Sequence, residues 1–203
     1  MICIHRLSKR FDDKVIFDNF SIEIADGDFV IFAGNSGCGK TTLLNMIGGL
    51  EDPDIGSIVV DGIDVCKSKN KKDYFSYKVG FLFQNFALLE SKTVRQNLEL
   101  IQRKARTELS IPEVLEAVGL ADKEDTKVYK LSGGEQQRVA LARLMLKKCD
   151  IILADEPTGS LDMGNANAVM DILHQLNKQG KTIIVVTHSE RIIKSEKKVV
   201  RLG

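Results

Sequence analysis

The segment FVIFAGNSGCGKTTLLNMI, which occupies positions 29–47, decides the fold. It starts with an unbroken apolar run of strand length, passes through a glycine-rich loop, and ends with apolar residues at helical spacing. A strand that lacks polar positions is expected to be buried on both faces, as in a parallel sheet covered by helices. The segment therefore predicts a strand, a loop and a helix in succession, which is the first half of a parallel β–α–β unit.

The loop in this segment has the form G-x-x-x-x-G-K-S/T and lies between a strand and a helix, as that phosphate-binding motif requires. Its glycines let the backbone approach phosphates closely, and the amides at the helix N-terminus favour an anion. A glycine-rich turn with an incidental lysine is the alternative. We predict ATP as the ligand and Mg²⁺ as its cation, with Lys40 at the terminal phosphates and Thr41 on the metal. The predicted nucleotide contacts are Gly34, Asn35, Ser36, Gly37, Cys38, Gly39, Lys40, Thr41 and Thr42.

Strand-like runs and helical patterns alternate along the rest of the chain. Positions 151–154 and 182–187 are mostly apolar, and apolar residues between 169 and 176 recur at helical spacing. Near the N-terminus, positions 2–7 and 20–24 have the composition of strands. We predict one α/β domain over residues 1–203, with a phosphate-loop NTPase core of mainly parallel sheet and antiparallel β additions near the N-terminus. A helical subdomain is expected as an insertion at roughly residues 85–145.

Two acidic residues follow the apolar run at positions 151–154. Asp155 ends that run, which places its carboxylate at the edge of the sheet where the phosphate loop also emerges. It is therefore the candidate for holding Mg²⁺. Glu156 comes next and could polarise a water for attack on the γ-phosphate. The alternative is a solvated strand end without a chemical role.

Composition and charge limit which partners, locations and metal sites we predict for this chain. Lys and Arg total 29 against 28 Asp and Glu, so no net charge draws the surface toward nucleic acid, and we predict no nucleic-acid partner. No apolar run reaches the about eighteen residues that a membrane-spanning helix needs, and the N-terminus lacks the pattern of a secretion signal. The four cysteines show no metal-site spacing. These features predict a cytosolic protein without structural zinc.

A second glycine pair opens the segment LSGGEQQRVALAR at positions 131–143. A serine and two glycines at a helix start form another anion cradle, and the serine is also a favourable N-cap. With the phosphate loop before it and LADEPTGSLD at 153–162 after it, this segment resembles the signature of ATP-binding-cassette (ABC) subunits. The resemblance runs in the expected order over almost the whole chain. It implies contacts with the ATP of a second copy by Ser132, Gly133, Gly134 and Glu135.

The same resemblance implies roles for further residues. Gln84 stands in the position of a glutamine that touches Mg²⁺ and the attacking water, and His188 in that of a switch histidine at the γ-phosphate. Phe11 stands where the family has an aromatic ring stacked on adenine, although a core phenylalanine is the alternative. Positions 160–162 resemble the loop that passes information between two ATP sites. The implied catalytic residues are thus Glu156, His188 and Gln84, and the implied metal ligands are Thr41, Gln84 and Asp155.

The resemblance also implies partners and a location. Two copies would pair head to tail around two ATP molecules and drive a separate integral membrane permease, with the chain peripheral on the inner, cytoplasmic face of the cell membrane. The segments at 83–89, 93–98 and 153–162 are similar to those of macrolide, lipoprotein and peptide exporters, most of all to lactococcin-type bacteriocin exporters. This similarity implies export of a peptide, a bacteriocin or a related amphipathic substrate. Two alternatives stay open: an ABC ATPase that signals across the membrane without moving cargo, and a nucleic-acid-associated ABC ATPase.

Overall fold

The structure is a computed structural model that describes residues 1–66, 71–159 and 161–203. Its strands are β1 (Ile2–Phe11), β2 (Lys14–Ile24), β3 (Phe29–Ala33), β4 (Ile55–Val60), β5 (Ile63–Asp64), β6 (Val79–Leu82), β7 (Ile151–Asp155), β8 (Thr182–Thr187) and β9 (Lys198–Arg201). Its helices are α1 (Lys40–Ile47), α2 (Lys71–Asp73), α3 (Val94–Glu99), α4 (Ile111–Ala117), α5 (Gly133–Leu146), α6 (Met163–Lys178) and α7 (Glu190–Ser195). A π-helical turn, Tyr74–Lys78, continues α2, and 3₁₀ turns lie at Arg103–Ala105, Ala121–Lys123 and Val128–Lys130.

Five strands form a parallel sheet in the order β6-β7-β8-β3-β9. The side chains of β3 alternate between two apolar clusters. Ile31 and Ala33 pack in the cluster that contains α5 and α6, whereas Val30 and Phe32 pack in the cluster that contains α1 and the N-terminal strands. The sheet is thus covered on both faces, as the apolar run predicts. The predicted α/β fold with a mainly parallel sheet is confirmed.

The edge strand β9 is not predicted from the sequence. Val199 and Val200 pair with β3 beside Ile31 and Phe32, but only these two apolar residues lie between the charged Lys198 and Arg201. Such a short apolar pair carries too weak a periodic signal to identify a strand. Its position matters because β9 ends next to the glycine-rich loop.

The N-terminal strands form a separate antiparallel sheet in the order β2-β1-β4-β5. Buried residues of β1 such as Ile2 and Ile4 pack in the same cluster as α1, so this sheet covers one face of the parallel sheet. The predicted antiparallel additions near the N-terminus are confirmed. The hairpin is longer than the sequence pattern indicates, because Phe11 and Lys14 still pair across its turn.

Three helices, α3, α4 and α5, lie between β6 and β7 in the chain, in the stretch for which we predict an inserted helical subdomain. Pro112 lies in the first turn of α4, and Gly119 follows the end of that helix with φ 67°. The limits of the subdomain at about 85 and 145 stay a prediction. Each of the three helices begins with a capping box, formed by Thr93 with Gln96, Ser110 with Glu113, and Ser132 with Glu135.

Across the described ranges, none of the helices combines the length and the apolar character that crossing a bilayer requires.

Candidate functional site

The carboxyl ends of the parallel strands bring distant parts of the chain together. The glycine-rich loop follows β3, and Gln84 comes shortly after β6. Asp155 ends β7 with Glu156 next to it, and His188 follows β8. Because the strands are parallel, all of these groups lie at the same edge of the sheet. This is the edge at which the sequence predicts the ATP site.

The glycines of the loop are required by its backbone and by its neighbours. Gly39 has φ 95°, and a Cβ atom there would lie 2.3 Å from Cγ2 of Ile16. A Cβ atom on Gly34 would lie 2.4 Å from the carbonyl oxygen of Leu202, just after β9. Among the described residues, no side chain caps the N-terminus of α1. The first amides of that helix are therefore available to an anion, and the cradle suits a phosphate.

Two lysine ammonium groups donate hydrogen bonds to carbonyl oxygens of the glycine-rich loop. Lys40 is only 8% exposed, and its Nζ donates hydrogen bonds to the carbonyl oxygens of Gly34 and Asn35 at 2.9 Å each. Lys14, near the tip of the N-terminal hairpin, donates from Nζ to the carbonyl oxygen of Gly37 at 3.1 Å. Sequence patterns do not identify Lys14 as a site residue, because nothing in them indicates that the tip of the hairpin reaches the glycine-rich loop. Together the two cations add positive charge where the terminal phosphates are predicted.

Thr41 and Asp155 form a preassembled pair of oxygen ligands. The Thr41 hydroxyl donates to both carboxylate oxygens of Asp155, at 3.1 Å to Oδ1 and 3.0 Å to Oδ2. Burial raises the pKa of Asp155, and the nearby Glu156 charge adds to that effect, while the Thr41 hydrogen bond and the Lys40 charge oppose it. A carboxylate kept in a site that disfavours its charge is suited to a cation, and its oxygens are the ligand type of Mg²⁺.

Glu156 is held by residues at the carboxyl end of β8. Its Oε1 lies 2.7 Å from Nδ1 of His188, and its Oε2 accepts a hydrogen bond from the hydroxyl of Thr187 at 3.2 Å. The backbone of Glu156 has φ 44°, an uncommon conformation that is held by a hydrogen bond from its amide to the carbonyl oxygen of Val186 at 2.9 Å. The side chain of His188 is 72% exposed, whereas that of Glu156 is 13% exposed. The arrangement can orient a water beside a phosphate while the imidazole remains accessible.

A cleft of about 360 Å³ collects most of the predicted residues. Phe11 lies in this cleft and is 45% exposed, so the alternative that it is a core residue is wrong. Its adenine-stacking role stays a prediction. A neighbouring cavity of about 420 Å³ includes Gly34 and Asn35 in its lining. The predicted residues that line the cleft are Phe11, Ser36, Gly37, Gly39, Lys40, Thr41, Thr42, Gln84, Glu156 and His188.

The signature segment lies outside these two cavities. Ser132 is the N-cap of α5, and its amide donates to Oε2 of Glu135 at 2.8 Å. That backbone hydrogen bond lowers the pKa of Glu135. The lining residues of the two cavities around Lys40 do not include Ser132, Gly133, Gly134 or Glu135. One chain therefore does not bring its own signature to its own phosphate loop.

The structure shows a contact between α5 and α6 that sequence patterns do not predict. Arg138 donates to Oδ1 of Asn165, and Asn165 donates from Nδ2 to the carboxylate of Asp162. A Cβ atom on Gly134 would lie 3.2 Å from the Asn165 side chain. The signature helix is thus linked to Asp162, whereas Ser160 of the same predicted loop lies outside the described residues. No sequence pattern indicates this link, because it joins polar residues of two separate helices.

Comparison with known proteins identifies a family. A family model described as ABC transporter matches residues 17–159. The chain is 39% identical to the macrolide export ATP-binding/permease protein MacB of Campylobacter jejuni, over 100% of this chain and 33% of that protein. It thus spans about a third of the length of the MacB proteins it matches. It is also 40% identical to an uncharacterized ABC transporter ATP-binding protein of Methanocaldococcus jannaschii, over 93% of this chain and 87% of that protein.

Solved structures agree in fold over the whole chain. The dimeric structure of the bacterial ABC transporter cassette MJ0796 matches with a TM-score of 0.89 and 34% identity, over 100% of this chain and 94% of that chain. A second dimeric structure of that cassette, in a post-hydrolysis state bound to ADP and Pi, matches with a TM-score of 0.87 and 32% identity over the same shares. The two TM-scores show that both neighbours share the overall fold of this chain.

Proposed function

Because this chain belongs to the ABC transporter family, as one of its ATP-binding and ATP-hydrolysing domains, we propose that two copies of it drive a separate membrane permease. The observation that carries the proposal is the meeting of four strand ends at one edge of the sheet. There the phosphate loop, Thr41 and the Glu156–His188 pair line one cleft, and Asp155 accepts a hydrogen bond from Thr41 and lines an adjoining cavity with Gln84. We place the chain at the inner face of the cell membrane, where the permease would hold it.

In the proposed reaction the loop binds the phosphates of ATP. Amides at the start of α1 and the ammonium of Lys40 would contact the β- and γ-phosphates. Thr41, Asp155 and Gln84 would supply a hydroxyl, a carboxylate and an amide oxygen to Mg²⁺, a set of hard oxygen donors that fits this cation. Mg²⁺ bound there would neutralise part of the charge on the phosphates.

Glu156 is proposed to orient the attacking water. Its carboxylate, held by Thr187 and His188, would accept a hydrogen bond from a water placed in line with the γ-phosphate. The water oxygen would bond to the γ-phosphorus as its proton passes to the Glu156 carboxylate, and the bond from phosphorus to the bridging oxygen would break. The proton would then leave with the phosphate product, which releases ADP and phosphate and restores the Glu156 carboxylate. His188 would contact the γ-phosphate through its exposed ring.

A second copy is proposed to complete the site. The signature at Ser132 does not line the cleft around Lys40, although its helix N-terminus can also bind an anion. A head-to-tail pair would place the signature of one chain on the γ-phosphate held by the other. Two dimeric structures of one cassette, 34% and 32% identical to this chain, support the pairing of two copies. ATP would then stabilise the dimer, and hydrolysis would weaken it.

A groove of about 410 Å³ is proposed as the docking surface for the permease. Its large side chains are mainly apolar, and Leu100 at its rim is 56% exposed. Two cations, Arg143 and Lys147, also line it, and their hydrogen-bond acceptors among the described residues are all backbone carbonyl oxygens. Burial lowers the pKa of both. A permease segment with apolar side chains and a carboxylate would therefore complement the groove.

The proposed cargo is a peptide, a bacteriocin or a related amphipathic molecule that leaves the cell. This part rests on the similarity of the segments at 83–89 and 93–98 to those of exporters and on the relatives named macrolide export proteins. In this proposal the cargo would contact the permease and not this chain.

The test of the proposed function is ATP hydrolysis by the purified chain and two variants. Wild-type protein should hydrolyse ATP with Mg²⁺, and Glu156→Gln should bind ATP but lose about a hundred-fold or more in kcat. Lys40→Ala should instead weaken ATP binding. Turnover of Glu156→Gln at the wild-type rate would remove Glu156 from its proposed role, and tight ATP binding by Lys40→Ala would do the same for Lys40.

A further inference from the structure

Arg143, on α5, contacts the segment that directly follows Gln84. Its Nη2 donates to the carbonyl oxygen of Phe86 at 2.8 Å, and its Nη1 donates to that of Ala87 at 2.5 Å. Phe86 and Ala87 follow Gln84 by two and three positions. One guanidinium therefore holds the backbone immediately beside a proposed metal ligand.

The backbone that Arg143 holds is in an uncommon conformation. Phe86 has φ 61° and Ala87 has φ 47°. Non-glycine residues rarely adopt such values, and they keep them only where the surrounding structure imposes them. A planar guanidinium can hold two acceptors in fixed directions, which the single ammonium of a lysine does less well. Arg143 is therefore suited to maintaining this turn.

The far end of the segment has an independent anchor. Asn97 is fully buried, and its Oδ1 accepts a hydrogen bond from the amide of Leu89 at 2.8 Å. Its Nδ2 donates to the carbonyl oxygens of Leu89 at 3.1 Å and Thr93 at 2.9 Å. The segment is thus fixed at Leu89 without Arg143. Loss of Arg143 would release the turn beside Gln84 and leave the rest of the segment in place.

We infer that Arg143 is a positioning residue for Gln84, because its two hydrogen bonds set where the Gln84 side chain lies relative to Asp155. The inference rests on the proposed function, in which Gln84 is a ligand of Mg²⁺. Gln84 and Asp155 line one cavity of about 440 Å³, whereas Arg143 and Ala87 line the groove proposed for the permease. Arg143 thereby connects that groove to the metal site through one short turn.

The experiment compares Arg143→Met and Arg143→Lys with wild type and with Lys181→Met as a matched control. Lys181 also donates from a partly buried ammonium to a backbone carbonyl, that of Cys149 at 2.6 Å. It precedes β8, however, and so lies at the opposite edge of the sheet from the site. In hydrogen exchange without nucleotide, Arg143→Met should speed exchange at the amides of Phe86 and Ala87 by about ten-fold or more. Arg143→Lys should have a smaller effect, and Lys181→Met none.

Steady-state hydrolysis supplies a second readout. Arg143→Met should raise the Mg²⁺ concentration that gives half-maximal activity several-fold and lower kcat by about ten-fold. Its affinity for nucleotide without metal should change by less than about two-fold. Arg143→Lys should recover part of both losses. A merely structural role would lower thermal stability without shifting the Mg²⁺ requirement.

Unchanged exchange at Phe86 and Ala87 in both Arg143 variants overturns the inference. So does a rise in the Mg²⁺ requirement of Lys181→Met that equals that of Arg143→Met. If Arg143→Met does not fold, the same two measurements on Arg143→Lys decide the question. A wild-type chain that does not hydrolyse ATP would contradict the proposed function instead. The exchange measurement needs no turnover and would still test the Arg143 contact.

Discussion

Replacing Gly39 with alanine tests the geometry on which phosphate binding depends. Gly39 has φ 95°, and the added Cβ atom would lie 2.3 Å from Cγ2 of Ile16 and 2.9 Å from Cε2 of Phe17. The left-handed backbone costs an alanine about 1–2 kcal/mol, and overpacking adds about 1–3 kcal/mol. Gly39→Ala should therefore lower the free energy of unfolding by about 2–5 kcal/mol. In a protein of this size that loss lowers Tm by about 4–20 °C.

Gly180→Ala is the matched control for this substitution. Gly180 has φ 93°, nearly the value at Gly39, but a Cβ atom there would have no neighbour within 4 Å among the described residues. Only the backbone cost of about 1–2 kcal/mol applies, so Tm should fall by about 2–8 °C. The difference between the two variants measures the contact of the loop with Ile16 and Phe17.

The assay is thermal unfolding followed by circular dichroism, together with titration of a fluorescent ATP analogue. Gly39→Ala should also lose at least about ten-fold in nucleotide affinity, because the first amides of α1 would shift. Gly180→Ala should bind nucleotide like the wild type. Equal falls in Tm for the two variants, or wild-type nucleotide affinity in Gly39→Ala, would refute the reasoning about the loop.

Two further substitutions test the metal site and the docking groove. Burial gives Asp155 a higher pKa in the folded than in the unfolded chain, so its contribution to stability is greatest below the unfolded pKa and is lost as pH rises through the folded pKa. Asp155→Asn should therefore raise Tm at pH 7 by about 2–4 °C and abolish Mg²⁺-dependent hydrolysis. The gain in Tm should shrink toward pH 4. A Tm below that of the wild type at pH 7 would contradict this expectation. Lys147→Met should weaken copurification with the proposed permease while leaving nucleotide affinity intact. Undiminished copurification would argue against a carboxylate in the groove.

The sequence predicts the parts of the fold that carry strong local patterns. The unbroken apolar run of β3 predicts a buried strand, and the glycine-rich loop after it predicts a phosphate site. The apolar runs of β7 and β8 predict buried strands in the same way. By contrast, β9 has only two apolar residues, and it is ordered by pairing with β3 rather than by its own composition. Tertiary contact decides such a strand, so a local pattern cannot identify it.

The candidate site likewise has residues that the sequence predicts and contacts that only the structure shows. The types and order of Lys40, Thr41 and Asp155 are enough to predict a phosphate and metal site, because the chemistry needs those groups at strand ends. The contact of Glu156 with His188 and the contact of Arg143 with the Gln84 segment depend on how separate strands and helices pack. Residues of these kinds are common on surfaces, and only the packed structure shows which of them are in contact.

The most direct test of the split ATP site is light scattering of the Glu156→Gln chain at saturating Mg-ATP, with bound nucleotide counted in each species. The proposed function predicts a mass of two chains with two ATP molecules. It also predicts that adding Ser132→Arg leaves a monomer that still binds one ATP, because Ser132 lies outside the cleft of its own chain. A Glu156→Gln chain that stays monomeric while it binds ATP fully would contradict the shared site, and so would a Ser132→Arg monomer that has lost all nucleotide binding.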